Sequence, residues 1–167
     1  MKIYLIAVGG ILFLASLQAS AQPHPTCGGP QLGTWKLESY VTQDLTTGQK
    51  TPLFGLHPSG YLSYGADCRM SAILIKEGRK PPSTFVPTNA ERIDLYNGFI
   101  AYAGTYRIEG DTVSHLVDAS WNQSWTGTTQ VRTFKIDGNT LSITTLPTKN
   151  ALTGRQSTSL LVWTKVE

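Results

Sequence analysis

Between residues 99 and 134 the chain alternates apolar and polar side chains with a period of two, the period of a half-buried β-strand. From Ile100 the even positions are Ile100, Tyr102, Gly104, Tyr106 and Ile108, against Ala101, Ala103, Thr105 and Arg107. The even set is the more apolar and is assigned to the interior. After the turn Glu109-Gly110-Asp111 the interior set is Val113, His115, Val117 and Ala119. In the next strand Gln130, Arg132, Phe134 and Ile136 take the inner face, opposite Thr129, Val131, Thr133 and Lys135. A one-residue slip in any strand would reverse its assignment. Polar groups aimed inward are costly unless paired. A histidine, two tyrosines and an arginine among aliphatic neighbours therefore mark this stretch as the place to look for a ligand.

The same period recurs along the chain. Trp35, Leu37, Ser39 and Val41 share one face of a first strand, and Thr34, Lys36, Glu38 and Tyr40 share the other. Further strands are predicted over 60–64, 69–75, 141–145 and 157–166. Thr46-Thr47-Gly48, Gly65-Ala66-Asp67 and Asp137-Gly138-Asn139 read as turns. Residues 52–60, 77–85 and 147–156 read as loops. One helix is predicted over 90–97, with Thr88 as N-cap, Glu91 at the capping-box spacing and Gly98 as its stop. It could lie against a sheet or cover an opening. About eight strands with tight turns and no βαβ rhythm make an all-β chain. A sequential meander of that length removes its edges by closing, so the expected fold is an antiparallel up-and-down β-barrel, wide enough for one small ligand.

Lys2, the apolar run over 3–17 and Ala19-Ser20-Ala21 make a secretory signal peptide with cleavage after Ala21. The run is short for a membrane span. The expected organisation is a leader over 1–21, a proline- and glycine-rich arm over 22–31 and one barrel domain over 32–167, in a secreted or periplasmic location. The formal net charge of +3 is scattered. No basic stripe with interleaved aromatics occurs, so nucleic acid is not an expected partner. Cys27 and Cys68 are the two cysteines. An oxidising compartment permits a disulfide between them, and two unpaired thiols are the alternative.

Arg132 is the most informative residue. No aspartate or glutamate falls on a predicted inner face, and a buried guanidinium without an anion is strongly unfavourable. Either Arg132 is hydrated, or Asp118, Glu38, Asp137, Asp67 or Asp94 reaches it, or a ligand brings the negative charge. Arginine binds a carboxylate in a two-pronged geometry. His115 is a hydrogen-bonded interior histidine, a ligand contact or a general acid or base. Tyr64, Tyr102 and Tyr106 offer hydroxyls or simply pack. Trp125 and Trp121 line the mouth, and Trp35 closes the base. His24 and His57 read as arm and loop residues. Neither a nucleophile elbow nor a paired-carboxylate, phosphate-loop or zinc pattern occurs, and no cofactor is expected.

Gly33-Thr34-Trp35 resembles the G-x-W signature of the calycins. The wider order resembles the bacterial and fungal lipocalin-like domain family: Gly60-Tyr61-Leu62-Ser63-Tyr64, Arg69-Met70-Ser71-Ala72, Ala101-Tyr102-Ala103-Gly104-Thr105-Tyr106, His115, Trp125-Thr126-Gly127, Gln130-Val131-Arg132-Thr133-Phe134 and Leu161-Val162-Trp163. The resemblance implies a small barrel with an internal cavity for an apolar molecule, and no defined activity. It also implies a basic residue of the last strand stacked on the G-x-W tryptophan; here that residue is Lys165, which lacks a guanidinium plane. Cys68 stands where the family pattern has a glycine or polar turn residue.

Two functions follow. One is a binding protein for a small apolar or amphipathic molecule, with or without a carboxylate, through Arg132, His115, Tyr102, Tyr106, Trp125 and Tyr64. The other is a cofactor-independent isomerase, cyclase or lyase working through His115, Arg132 and the interior tyrosines. The expected partner is thus a small hydrophobic or amphipathic molecule.

Overall fold

A computed structural model describes residues 27–149 and 154–166. The leader expected over 1–21 and the first half of the arm, 22–26, lie outside the described residues. The chain forms β1 (Gly33–Asp44), β2 (Lys50–Pro52), β3 (Ser59–Tyr64), β4 (Arg69–Ile75), α1 (Asn89–Asn97), β5 (Phe99–Glu109), β6 (Thr112–Ser120), β7 (Thr129–Asp137), β8 (Thr140–Thr145), β9 (Thr148–Lys149) and β10 (Gln156–Lys165). Pairing is antiparallel and sequential from β1 through β3 to β8 and on to β10, and β10 closes on β1. The expected eight-stranded up-and-down barrel is therefore present, with β2 and β9 as short additions flanking β1 and β10. Those two lie in stretches read as loops. They carry no buried residue, so no alternation marks them.

Interior faces follow the alternation through most of the wall. Tyr102, Gly104 and Tyr106 of β5, Val113, His115 and Val117 of β6, and Arg132 of β7 are all buried. Two β-bulges break the phase. Leu37 pairs with Trp163 but Ser39 pairs with Val162, leaving Glu38 as the extra residue. Beyond it the faces exchange. Tyr40, assigned outward from the sequence, lies opposite Leu161 and packs against the core, while Val41 lies opposite the exposed Leu160. Likewise Ala103 pairs with Ala119 and Gly104 with Val117, which makes Asp118 the extra residue and turns Ala119 outward, against expectation. A bulge adds one residue to one strand and so inverts every later assignment. Gly104 sits at this second bulge because the backbones approach closely: a Cβ there would lie 1.9 Å from the Leu116 carbonyl oxygen.

One end of the barrel is plugged. The Trp35 indole donates to the Gln31 carbonyl at 2.7 Å. The Lys165 ammonium lies 4.4 Å over the Trp35 ring and also donates to the Leu32 carbonyl. Lysine thus covers the tryptophan, with the Leu32 carbonyl as its anchor in place of a stacked guanidinium plane. Beside this plug Cys27 and Cys68 form a disulfide across a sequence separation of 41 residues. Cys68 has φ +62°, the left-handed region that favours glycine, which explains why a turn residue belongs there.

Helix α1 starts at Thr88 with the capping box complete: the Thr88 hydroxyl accepts from the Glu91 N–H, and the Glu91 carboxylate accepts from the Thr88 N–H. It buries none of its residues and adjoins β5 at the end opposite the plug.

Closing a loop of this length removes about 4 kcal/mol of unfolded-state entropy. Cys27→Ser with Cys68→Gly, which keeps the turn relaxed, is expected to lose up to that much stability in urea unfolding. An unchanged midpoint would show that the disulfide is thermodynamically idle.

Candidate functional site

The upper half of the interior is hollow. A cavity of about 360 Å³ is lined by the wall around Arg132, including Tyr40, Leu74, Tyr102, Trp125 and Leu161. That volume suits one small ligand. Its lining mixes aliphatic and aromatic side chains with hydroxyl and amide groups such as Gln130 and Ser159, and Arg132 is the one charged side chain among them.

Arg132 is only 8 % exposed. It forms no ion pair among the described residues, and its guanidinium makes a long bond of 3.4 Å to the Val131 carbonyl. None of the five candidate carboxylates reaches it. Asp118, the bulge residue, points outward and clasps Arg69 at 2.6 and 3.3 Å. Outside the described residues the sequence holds one acid, Glu167. Among the described residues the guanidinium that lines the cavity therefore has no counter-charge.

Beneath it lies a chain of neutral groups. His115 is 1 % exposed and held at both ring nitrogens, by the Tyr64 hydroxyl at 2.7 Å on Nε2 and the Tyr102 hydroxyl at 3.0 Å on Nδ1. Burial, reinforced by the Arg132 charge, pushes its pKa down to about 3, so the imidazole is neutral at physiological pH. Hydrogen-bond accounting then assigns the tautomer. The Tyr64 hydroxyl is buried with His115 as its partner, so it donates to Nε2. Nδ1 carries the proton and donates to the Tyr102 oxygen. The Arg132 charge offsets part of the rise that burial imposes on the Tyr102 hydroxyl. With its oxygen accepting from Nδ1, Tyr102 keeps its own O–H for an acceptor in the cavity it lines. Arg132 and Tyr102 together present convergent donors to one anionic or carbonyl oxygen pair.

Of the residues singled out from sequence, Arg132, Tyr102 and Trp125 line the cavity. His115 and Tyr64 are not in its lining and connect to it by the hydrogen-bonded chain that ends at Tyr102. Tyr106 is not brought to this site. Its hydroxyl donates to the Gly65 carbonyl at 3.0 Å, and it lines a separate hollow of about 410 Å³ around the disulfide. Alternation assigned its face correctly but carries no information about depth along the barrel. Trp121 stands 4.9 Å from Trp125, ring to ring, at the rim. Tyr40 was missed, because the Glu38 bulge has no sequence signature. Its hydroxyl, raised by burial, bonds to Ser159 and feels the Arg132 charge.

A closed barrel with a plugged base and a hollow beside aimed polar groups is an architecture suited to holding a small molecule. The chain matches the family model for the lipocalin-like domain over residues 32–166, and it belongs to that family. Searches of curated proteins and of solved structures returned no match.

The His115 environment makes stability fall with acid. Its folded pKa of about 3 lies below the ordinary 6.5. Between those values the unfolded chain binds a proton that the native state does not, so this contribution is complete above pH 6.5 and declines as pH drops toward 3. Urea unfolding is expected to lose roughly 1.4 kcal/mol per pH unit between pH 6 and 4.5, before most carboxylates titrate. His115→Gln is expected to flatten that limb. An equal slope in the variant would assign the titration to another group.

Proposed function

We propose that this protein binds an amphipathic small molecule with an anionic head, a carboxylate being the best fit, in the cavity beside Arg132. The observation that carries the reading is the buried guanidinium without a counter-ion. Such a charge is costly unless an anion meets it, and a carboxylate takes two parallel bonds from arginine. Tyr102 supplies a third donor. The tail would lie along Leu74, Ile100, Trp125 and Leu161. The leader pattern and the disulfide support an extracytoplasmic setting, secreted or periplasmic. The enzymatic alternative draws less support. A base with a pKa of about 3, engaged at both nitrogens, is a poor proton acceptor at neutral pH.

A dansyl-labelled undecanoic acid serves as probe, with its methyl ester as the uncharged control. The acid is expected to bind and the Arg132→Leu variant to bind it about tenfold or more weakly, the loss of one charged hydrogen-bonded contact. The ester should lose far less. Equal losses for acid and ester, or none for either, would remove Arg132 from ligand recognition.

A further inference from the structure

The two ends of the barrel are built differently, and the open end has the chemistry of a lipid-facing surface. Loop 53–58, the segment 76–98 with α1, loop 121–128 and residues 146–149 after β8 all emerge there. They form one rim. The Glu77 N–H donates to the Phe54 carbonyl at 2.9 Å, and the Glu77 carboxylate accepts from the His57 N–H at 3.0 Å, so the first two segments are knit together. Tyr96 of α1 lies 6.3 Å from Trp121, which contacts Trp125 at the cavity wall. The rim thus runs without interruption from the helix to the mouth of the cavity.

Large apolar side chains project from this rim. Phe85 is wholly exposed and Leu56 is 71 % exposed; Leu53, Val86, Ile93 and Leu146 are exposed beside them. Isolated exposed apolar residues are ordinary, but a set gathered at one end marks an interaction surface. They stand as separate prongs on several loops and one helix, a shape that suits a deformable medium better than a flat protein face. The charges point the same way. Exposed Lys50, Lys76, Lys80, Arg92 and Lys149 share this end. Its acids are already engaged in part: Asp44 pairs with Arg155, and Glu77 and Glu91 accept backbone N–H groups. The turns at the plugged end instead carry Asp67, Asp111 and Asp137. An anionic bilayer surface would therefore attract the open end more strongly than the plugged end, where Arg107, Lys135 and Lys165 stand among the aspartates, and apolar prongs among lysines and aromatics match the headgroup boundary.

We propose that the open end docks on anionic lipid surfaces, with Phe85, Leu56 and Ile93 entering the headgroup layer and the cavity mouth facing the bilayer. This docking needs no guest in the cavity, so it stands or falls independently of the ligand proposed above. The test is co-sedimentation of the full chain with vesicles of phosphatidylcholine alone and of phosphatidylcholine with one third phosphatidylglycerol, at low and high salt. The variants are Leu56→Asp with Phe85→Asp, Lys80→Glu with Arg92→Glu, and Tyr61→Ser on the outer wall. All carry the same N-terminal segment, so any affinity of that segment cancels. The expected result is several-fold stronger sedimentation with anionic than neutral vesicles, weakened by salt. Each rim pair should lower it about tenfold, and the wall variant should leave it unchanged. Should one rim pair fail to fold, the other decides alone. No vesicle binding, or binding that survives the rim substitutions, overturns the proposal. So does a concentration-dependent dimer in ultracentrifugation that the rim variants dissolve without any vesicle binding, which would assign the face to a second copy of the chain.

Discussion

A single uncompensated charge organises the interior. Arg132 is carried inward by the alternation of β7 and meets no carboxylate among the described residues. Everything around it accommodates that charge without cancelling it. His115, which could have been a second cation, is kept neutral by burial first and by the guanidinium second. Two tyrosines hold its nitrogens, so no buried polar atom of the imidazole is left unpaired. The order of donors from Tyr64 through His115 to Tyr102 leaves donors at the cavity wall and acceptors behind them. Under the proposed function, a negative group entering this cavity completes the arrangement.

The barrel supplies the setting through its asymmetry. Trp35, Gln31, Lys165 and the Cys27–Cys68 bridge close one end. Closure there is polar and covalent, with hydrogen bonds to backbone carbonyls, while the core above is aromatic and aliphatic. At the other end only an exposed helix and loops stand between cavity and surroundings. The two bulges contribute to this shape. Each bends its strand, and the bulge at Glu38 lets a twelve-residue β1 pair with β3 along its first half and with β2 along its second. The same bulge delivers Tyr40 to the cavity.

Period-two alternation made the wall legible in the sequence, because a half-buried strand must sort its residues by face. His115, Arg132, Tyr102 and Trp35 were assignable on that ground alone, and the turn residues delimited the strands. The capping box fixed where α1 begins. Three features were not legible, each for a physical reason. Tyr40 and Ala119 were placed on the wrong face because a bulge inserts one residue without altering composition. Tyr106 shares a face with Tyr102 but not a depth, since alternation is blind to position along the barrel axis. The tautomer of His115 depends on which hydroxyl lacks a second partner, a property of three strands that meet only in space.

The ionisation state of a bound carboxylate tests the role of Arg132 most directly. Dodecanoate labelled with ¹³C at the carboxyl carbon would be followed by NMR in complex with the protein as the pH is lowered from 8 to 4.5. A guanidinium beside the carboxyl favours its charged form, so the bound signal is expected to hold its ionised position through that range and to titrate upward only in Arg132→Leu. A bound carboxyl that protonates at or above the ordinary carboxylic acid range in the unmodified protein would contradict the account.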